Sequence, residues 1–167
     1  MLAYIGLGSN LQDPEGQIRS ALQSLYASPD IQLQQSSSLY RSHPMGAAEQ
    51  PDYVNAVAKI STELYPMELL AILQEIERQH QRVRTGERWG PRTLDLDILL
   101  YGDLEMHTKA LQIPHPGISE REFVLIPLQE IDENLIIPGK GGLLGLIEKL
   151  PQYQLTRLAS PDVGPQS

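Results

Sequence analysis

The chain has 167 residues, a formal net charge of −8, 41% hydrophobic and 20% charged residues, and no cysteine. This composition predicts one globular domain large enough to bury a core. The acidic balance argues against general nucleic-acid binding, and the lack of cysteine excludes disulfides, zinc–thiolate sites and thiol nucleophiles. The start has no basic residue, and no apolar segment reaches bilayer-spanning length. We therefore expect a cytoplasmic protein.

The first hundred residues predict strands that alternate with helices. Apolar residues at period two, bounded by turn residues, predict four strands over 2–8, 31–41, 53–62 and 94–101. Helical spacing predicts two helices, one from Asp13-Pro14 to Pro29 and one from Pro66 to about Arg82. A strand–helix–strand–strand–helix–strand order is typical of an α+β fold with a ferredoxin-like βαββαβ core, an antiparallel sheet and helices on one face.

The last third of the chain predicts additions to this core. They are a Pro-His-Pro loop at 114–116, an apolar run over 123–128 and a short helix over 143–150. The tail from 159 to 167 is small, polar and contains proline, which predicts disorder. The folded domain is accordingly expected to cover residues 1–158.

Two carboxylates stand at alternate positions of the fourth strand, Asp95 and Asp97. Alternate residues share a face of a strand and lie about 6.5 Å apart. Two aligned like charges are best tolerated with a cation between them, and Mg²⁺ usually takes one or two carboxylates plus substrate phosphates. Alone, such a pair is more often a solvated strand face that neighbouring arginines balance.

Five of the 13 basic residues fall within 15 positions just before this strand. They are Arg78, Arg82, Arg84, Arg88 and Arg92. In an acidic protein, such a concentration favours an anion-binding loop over a random surface. Together with the carboxylates, it indicates metal-assisted chemistry on a phosphorylated substrate.

Common nucleotide-binding motifs are absent. The segment Gly6-Leu-Gly8 begins like a dinucleotide fingerprint, but its third glycine would fall on Leu11. Gly139-Lys140 is followed by Gly141 in place of the Ser or Thr of a phosphate-binding P-loop. If the chain binds ATP, a different arrangement of residues holds it.

Several further residues are candidates for ligand contacts, each with a structural alternative. Asn55 is unusual in mid-strand, beside Tyr53, and its amide can read the edge of a heterocycle. Phe123 and Trp89 could stack on a flat ligand, although packing in the core is the more common fate of Phe. The remaining candidates are His115 between two prolines, and Gln74 and Glu77 one helical turn apart, which alone favour a solvated helix face.

Taken together, five segments closely resemble the 6-hydroxymethyl-7,8-dihydropterin pyrophosphokinase family of folate biosynthesis. They are Gly8-Ser-Asn10, Gln50-Pro-Asp-Tyr-Val-Asn55, Arg82-x-Arg84, Arg88-Trp-Gly-Pro-Arg-Thr-Leu-Asp-Leu-Asp97, and Pro114-His-Pro116 followed by Arg121-x-Phe123-Val124. The resemblance implies transfer of diphosphate from ATP to the hydroxymethyl group of the pterin, giving AMP and a pterin diphosphate. It also implies a ferredoxin-like core with extra C-terminal strands and helices.

The resemblance assigns roles to individual positions. Asp95 and Asp97 would hold two Mg²⁺ ions, and Arg82 and Arg92 would meet the transferring phosphates. Tyr53 and Phe123 would enclose the pterin ring, Asn55 would bind its edge, and Trp89 would help to close the site. The residues implied to line the rest of the pterin pocket are Ser42, Pro44 and Met45; those implied to contact ATP are Gln74, Glu77, Arg84, Arg92, Ile98, His115 and Arg121.

The chain departs from the family pattern at Gly117 and Thr85, where members often carry basic residues. This affects the details of phosphate binding more than the reaction. Two alternatives stay open from the residues: another Mg²⁺-dependent nucleotidyl or phosphoryl transferase, and a non-enzymatic module that binds a nucleotide. The expected partners are the small-molecule substrates ATP and 6-hydroxymethyl-7,8-dihydropterin, with no nucleic acid and no membrane. The chain is expected to be a monomer.

Overall fold

In the computed structural model, an antiparallel sheet carries helices on both faces. The structure describes residues 1–10, 13–42, 52–82, 94–158 and 160–161, and only the backbone at 81 and 82. Within these ranges, six strands form the main sheet: β1 (Leu2–Ser9), β2 (Ile31–Ser36), β3 (Tyr40–Ser42), β4 (Tyr53–Thr62), β5 (Asp95–Tyr101) and β10 (Leu155–Arg157). Their order is β10-β3-β4-β1-β5, and β2 pairs with β4.

The helices and the short strands follow the sheet in chain order. The helices are α1 (Pro14–Ala27), α2 (Pro66–Arg82), a 3₁₀ turn (Ile118–Glu120), α3 (Glu122–Ile131) and α4 (Leu143–Glu148). The short strands pair as β6 (Met106–His107) with β7 (Gln112–Ile113), and β8 (Ile136–Ile137) with β9 (Gly141–Gly142). Among the residues described, no helix has the length and apolar character needed to cross a membrane.

Two hydrophobic cores lie on opposite faces of the sheet. Alternate residues of β1 divide between them: Ile5 and Leu7 pack with α1 and α2, while Tyr4 packs on the face that holds α3 and α4. The two helices expected on one face of the core, α1 and α2, do share a face, and the C-terminal helices α3 and α4 cover the opposite one. The apolar run over 123–128 forms most of α3, whose Val124, Leu125 and Leu128 are buried against the second face.

The predicted second strand is interrupted. β2 and β3 both pair with the same edge of β4, but residues 37–39 separate them. Here the Ser37 hydroxyl accepts the Val57 N–H (2.9 Å), and the Ser37 N–H donates to the Val57 carbonyl (2.8 Å). A side-chain oxygen thus replaces one backbone acceptor, which accommodates one extra residue in the way a bulge does.

The other predicted elements of the first hundred residues are confirmed within one or two residues. The expected cap of α1 is also present: the Asp13 carboxylate accepts the Gly16 N–H at 3.2 Å, and Pro14 occupies the first turn. The loop predicted over 42–52 and the arginine-rich segment lie largely outside the described residues. So do residue 159 and residues 162–167 of the predicted tail.

Candidate active site

The centre of the sheet forms the floor of a cavity of about 410 Å³. On β1, Gly8 lies opposite Asn55 of β4 on one side and opposite Asp95 of β5 on the other. Two residues earlier, Gly6 lies opposite Asp97. Directly opposed residues of antiparallel strands project to the same face, so the two glycines leave an open floor between the amide and the carboxylates.

The walls of the cavity come from the ends of β3 and β4 and from the start of α3. Ser42 ends β3, Tyr53 begins β4, and Arg121 to Val124 surround the start of α3. Tyr53 is 38% exposed, and Phe123 is partly buried against the second core. The two aromatic residues proposed to enclose a flat ring therefore border one cavity.

Among the described residues, Asn55 is a polar residue of this cavity whose hydrogen bonding is incomplete. It is only 9% exposed, and its Nδ2 donates a long bond to the Leu7 carbonyl at 3.5 Å. Its Oδ1 is buried and has no hydrogen-bond partner among the described residues. Because an unsatisfied buried polar atom costs free energy, an acceptor held in this state is suited to a ligand that brings a donor.

The two carboxylates share the exposed face of β5, as the sequence predicts. Asp95 and Asp97 are exposed, while Leu96 and Ile98 between and beyond them are buried in the first core. No group of three or more His, Asp or Glu residues converges anywhere in the described ranges. A metal ion here would take its remaining ligands from substrate phosphates and water, which is the way that Mg²⁺ is commonly bound.

His115 lies beside one of these carboxylates. Its Nδ1 accepts the Gly117 N–H at 3.2 Å, so the neutral ring carries its proton on Nε2, which lies 3.8 Å from Asp97 Oδ2. Its backbone N–H donates to the Leu99 carbonyl of β5 at 3.0 Å. Burial lowers the pKa of His115, the Asp97 carboxylate opposes this effect, and Arg121 adds to it.

Arg121 connects His115 with the aromatic wall. Its guanidinium carbon lies 5.8 Å from the centroid of the Phe123 ring, a cation–π geometry. Its Nε also lies where a side chain at 117 would begin, because an ideal Cβ on Gly117 would be 2.6 Å away. The absence of a side chain at Gly117 thus leaves room for the position that Arg121 adopts.

The helix candidates lie along the outer edge of β5, the last strand of the sheet. Glu77 of α2 accepts the Leu96 N–H through Oε2 at 2.8 Å, and Gln74 is exposed one turn earlier on the same helix. The Ile98 side chain is buried in the first core and does not face the cavity. Because Leu96 and Ile98 are two residues apart on one strand, the backbone groups of Ile98 point to this same outer edge.

The remaining predicted site residues lie outside the described part of the chain. They are Pro44, Met45, Arg84, Trp89, Arg92 and the side chain of Arg82. Sequence reasoning did not assign to the site seven residues that line the cavity, namely Gly6, Leu7, Gly8, Ala56, Leu99, Glu122 and Val124. Glycine at alternate positions of a strand is a signal for close approach by a ligand, a signal that the pair Gly6 and Gly8 carries.

Comparison with known proteins identifies the family of the chain. The family model described as "7,8-dihydro-6-hydroxymethylpterin-pyrophosphokinase (HPPK)" matches residues 4–133. The chain is 47% identical over 156 residues to the 2-amino-4-hydroxy-6-hydroxymethyldihydropteridine pyrophosphokinase of Haemophilus influenzae, with 93% of this chain and 97% of that protein covered. The enzyme of the same name from Pseudomonas aeruginosa is 44% identical, with 93% and 95% covered.

A solved structure supports the fold. A triple mutant of the HPPK-DHPS of Plasmodium falciparum superposes with a TM-score of 0.71 at 13% identity. The match covers 89% of this chain but only 43% of that longer one, so it bears on the fold alone. The family model spans most of the chain, and both bacterial relatives match along nearly their whole length. The chain belongs to the 7,8-dihydro-6-hydroxymethylpterin-pyrophosphokinase family.

Proposed function

We propose that this chain transfers diphosphate from ATP to the hydroxymethyl group of 6-hydroxymethyl-7,8-dihydropterin, giving AMP and the pterin diphosphate. The observation that carries the proposal is the row across the sheet, in which the unsatisfied Asn55 amide and the Asp95 carboxylate flank Gly8. A heterocycle bound at the amide would direct its substituent toward the carboxylates. The names of the bacterial relatives favour this reaction over the two alternatives.

The pterin is proposed to lie between Tyr53 and Phe123 and to donate a hydrogen bond to Asn55 Oδ1. The support is the shared cavity and the buried acceptor, since aromatic faces give apolar contact while the amide fixes orientation. Ser42 borders the same cavity. The other proposed pterin contacts are Pro44, Met45 and Trp89.

Two Mg²⁺ ions are proposed to bind at Asp95 and Asp97. The donor set fits, because both side chains are exposed on one face about 6.5 Å apart, and carboxylate oxygens are the ligands that a hard cation prefers. Such ions would supply charge neutralisation across the three phosphates of ATP. His115, 3.8 Å from Asp97, would help to orient that carboxylate.

ATP is proposed to extend from the carboxylates toward the outer edge of β5. Glu77 and Gln74 border this edge from α2, His115 borders it from its loop, and Ile98 would contact the nucleotide through its backbone. Arg121, beside the start of α3, would face the phosphates. The arginines proposed to complete this half of the site are Arg82, Arg84 and Arg92.

The chain then has to position two substrates and neutralise charge. The hydroxymethyl oxygen attacks the β-phosphorus, the bond from that phosphorus to the α–β bridging oxygen breaks, the hydroxyl proton is released, and AMP leaves. Phosphoryl-type transfer depends mainly on alignment and on compensation of charge. Arg82 and Arg92 are proposed to bear on the transferring phosphates, where charge develops in the transition state.

We further propose that residues 1–158 form a single domain with a ferredoxin-like core. The order β5-β1-β4-β2, with α1 after β1 and α2 after β4, supports that arrangement. β3, β10, α3 and α4 would be additions that build the second face. The monomeric state and the cytoplasmic location stay predictions.

A calorimetric titration tests the proposal against a non-enzymatic nucleotide binder. The expected result is that the pterin binds with one-to-one stoichiometry in the presence of Mg²⁺ and a non-hydrolysable ATP analogue. Asn55→Ala should weaken pterin binding at least tenfold and leave binding of the analogue unchanged, since only the pterin half contains the amide. Binding of the analogue without any binding of pterin would contradict the proposal.

A further inference from the structure

The carboxylate of Glu130, which lies outside the cavity, accepts hydrogen bonds from four donor groups. Glu130, near the end of α3, has a side chain that is 19% exposed. Its Oε1 accepts the Ser38 N–H (2.9 Å) and the Tyr40 hydroxyl (2.7 Å). Its Oε2 accepts the Ser38 hydroxyl (2.8 Å) and Arg157 Nη2 (3.0 Å). Four bonds occupy the acceptor positions that an ionised carboxylate offers.

These donors come from separate parts of the chain. Ser38 and Tyr40 lie before and at the start of β3, whereas Arg157 lies on β10 and also donates from Nε to the Ser38 hydroxyl at 3.1 Å. Burial and the Glu130 carboxylate raise the pKa of Tyr40, so its hydroxyl stays a donor. The four residues, hereafter the Glu130 cluster, therefore join α3 to β3 and to the last strand of the sheet.

The elements joined by the Glu130 cluster also carry or support the residues that are proposed to bind the pterin. Phe123 lies about two helical turns before Glu130 on α3. On β3, Tyr40 pairs with Asn55 and Ser42 pairs with Tyr53 across the ladder to β4. On one side of the Glu130 cluster, α3 therefore carries Phe123. On the other side, β3 supports the segment of β4 that carries Tyr53 and Asn55.

Apolar packing alone would leave the position of α3 less well defined. Val124, Leu125 and Leu128 pack on the second face, but hydrophobic contacts are non-directional. Hydrogen bonds to an ionised group are directional and stronger than neutral ones, and a fully satisfied network holds one arrangement. The Glu130 cluster is therefore suited to define both the rotation of α3 and its position along the sheet.

We propose that Glu130 is a positioning residue that sets the separation between Phe123 and Tyr53, and thereby the affinity for the pterin. This inference rests on the proposed function of the same cavity. Arg157 contributes through the bonds it donates to the cluster. It follows that a strand near the C-terminal end of the chain influences the pterin site more than the ATP site. Among the described residues, Arg121 is the proposed ATP contact next to α3, whereas the others lie along α2, β5 and the loop of His115.

The test compares Glu130→Gln with Glu133→Gln, a matched change at an exposed glutamate just beyond α3. Dissociation constants are measured for the pterin and, separately, for a non-hydrolysable ATP analogue with Mg²⁺. Glu130→Gln should weaken pterin binding about tenfold, because an amide cannot accept all four bonds, and should change analogue binding less than about twofold. Glu133→Gln should change neither constant.

Three outcomes separate the possible failures. If wild-type protein binds no pterin, the proposed function falls, and the inference falls with it. If the wild type binds pterin and Glu130→Gln binds it equally well, the inference alone is wrong. If both ligands weaken by the same factor in Glu130→Gln, the residue stabilises the whole fold and does not position the pterin site, which also overturns the inference.

A second variant decides the matter if Glu130→Gln does not fold. The Arg157 side chain is 61% exposed, so Arg157→Ala removes the peripheral donor of the cluster with little disturbance of the cores. We expect about threefold weaker pterin binding and unchanged binding of the ATP analogue. Unchanged pterin affinity in a folded Arg157→Ala protein would then overturn the inference.

Discussion

At the scale of single residues, the glycines of β1 keep the floor of the cavity clear. An ideal Cβ on Gly8 would lie 2.8 Å from Asn55 Nδ2, and one on Gly6 would lie 3.2 Å from Leu99 Cδ2. Neither position requires an unusual backbone angle, so the constraint is space alone. A side chain at position 8 would affect the Asn55 amide, which is proposed to bind the pterin, because the atom that a methyl group would displace belongs to Asn55.

Gly8→Ala should therefore impair one substrate site selectively. The added methyl group forces the Asn55 side chain to move, which we expect to raise KM for the pterin about tenfold while KM for ATP changes little. Steady-state kinetics with each substrate varied in turn measures both constants. Gly145→Ala is the control, because no atom lies within 4 Å of its Cβ position. Equal KM values for Gly8→Ala and the wild type would show that the floor tolerates a side chain.

The carboxylate pair allows a second prediction at this scale. Asp97→Asn keeps the shape of the side chain, removes a metal-binding charge and relieves the repulsion from Asp95. We expect turnover to fall by about a thousandfold or more, and the melting temperature of metal-free protein to stay equal or rise slightly. Activity assays and thermal unfolding in a chelator measure the two effects. A strongly destabilised variant that retains turnover would show that the pair is structural.

At the scale of elements, sequence patterns predicted the helices and strands that depend on interactions between residues close in sequence. The Asp13-Pro14 cap, the stripe of α1 and the alternation of β5 each depend on neighbours within a few residues, and each is found as expected. The interruption between β2 and β3 depends on the Ser37 hydroxyl meeting Val57, 20 residues away. No pattern within the strand announces that contact, so the sequence predicted a continuous strand.

The cap of α1 gives a prediction in which the stability of the fold changes and the activity does not. Asp13 has a positive φ of 57°, a conformation that Asp and Asn tolerate better than Ala, and its carboxylate caps Gly16. Asp13→Ala should destabilise the fold by about 1–2 kcal/mol, whereas Asp13→Asn should cost less than about 0.5 kcal/mol. Because α1 packs on the face opposite the cavity, kcat should be unchanged in both. Denaturant unfolding and activity assays give these values, and equal loss of stability in the two variants would refute the capping argument.

At the scale of the whole molecule, the two faces of the sheet have different roles. One face buries α1 and α2 in a core, and the other combines a core with the cavity beneath the start of α3. The motifs predicted those residues of the cavity that carry distinctive chemistry, such as Asn55, Asp95 and Phe123. They could not predict that α3 lies on the second face, since the apolar run over 123–128 specifies burial and not the partner against which it is buried.

The central claim, transfer of diphosphate to a pterin, is tested most directly by phosphorus NMR of the complete reaction. The protein is mixed with Mg²⁺, ATP and 6-hydroxymethyl-7,8-dihydropterin, and the products are followed as the pterin is consumed. We expect an AMP resonance and two resonances of a pterin diphosphate ester that grow in equal amounts. Accumulation of ADP with a pterin monophosphate, in step with loss of the pterin, would contradict it.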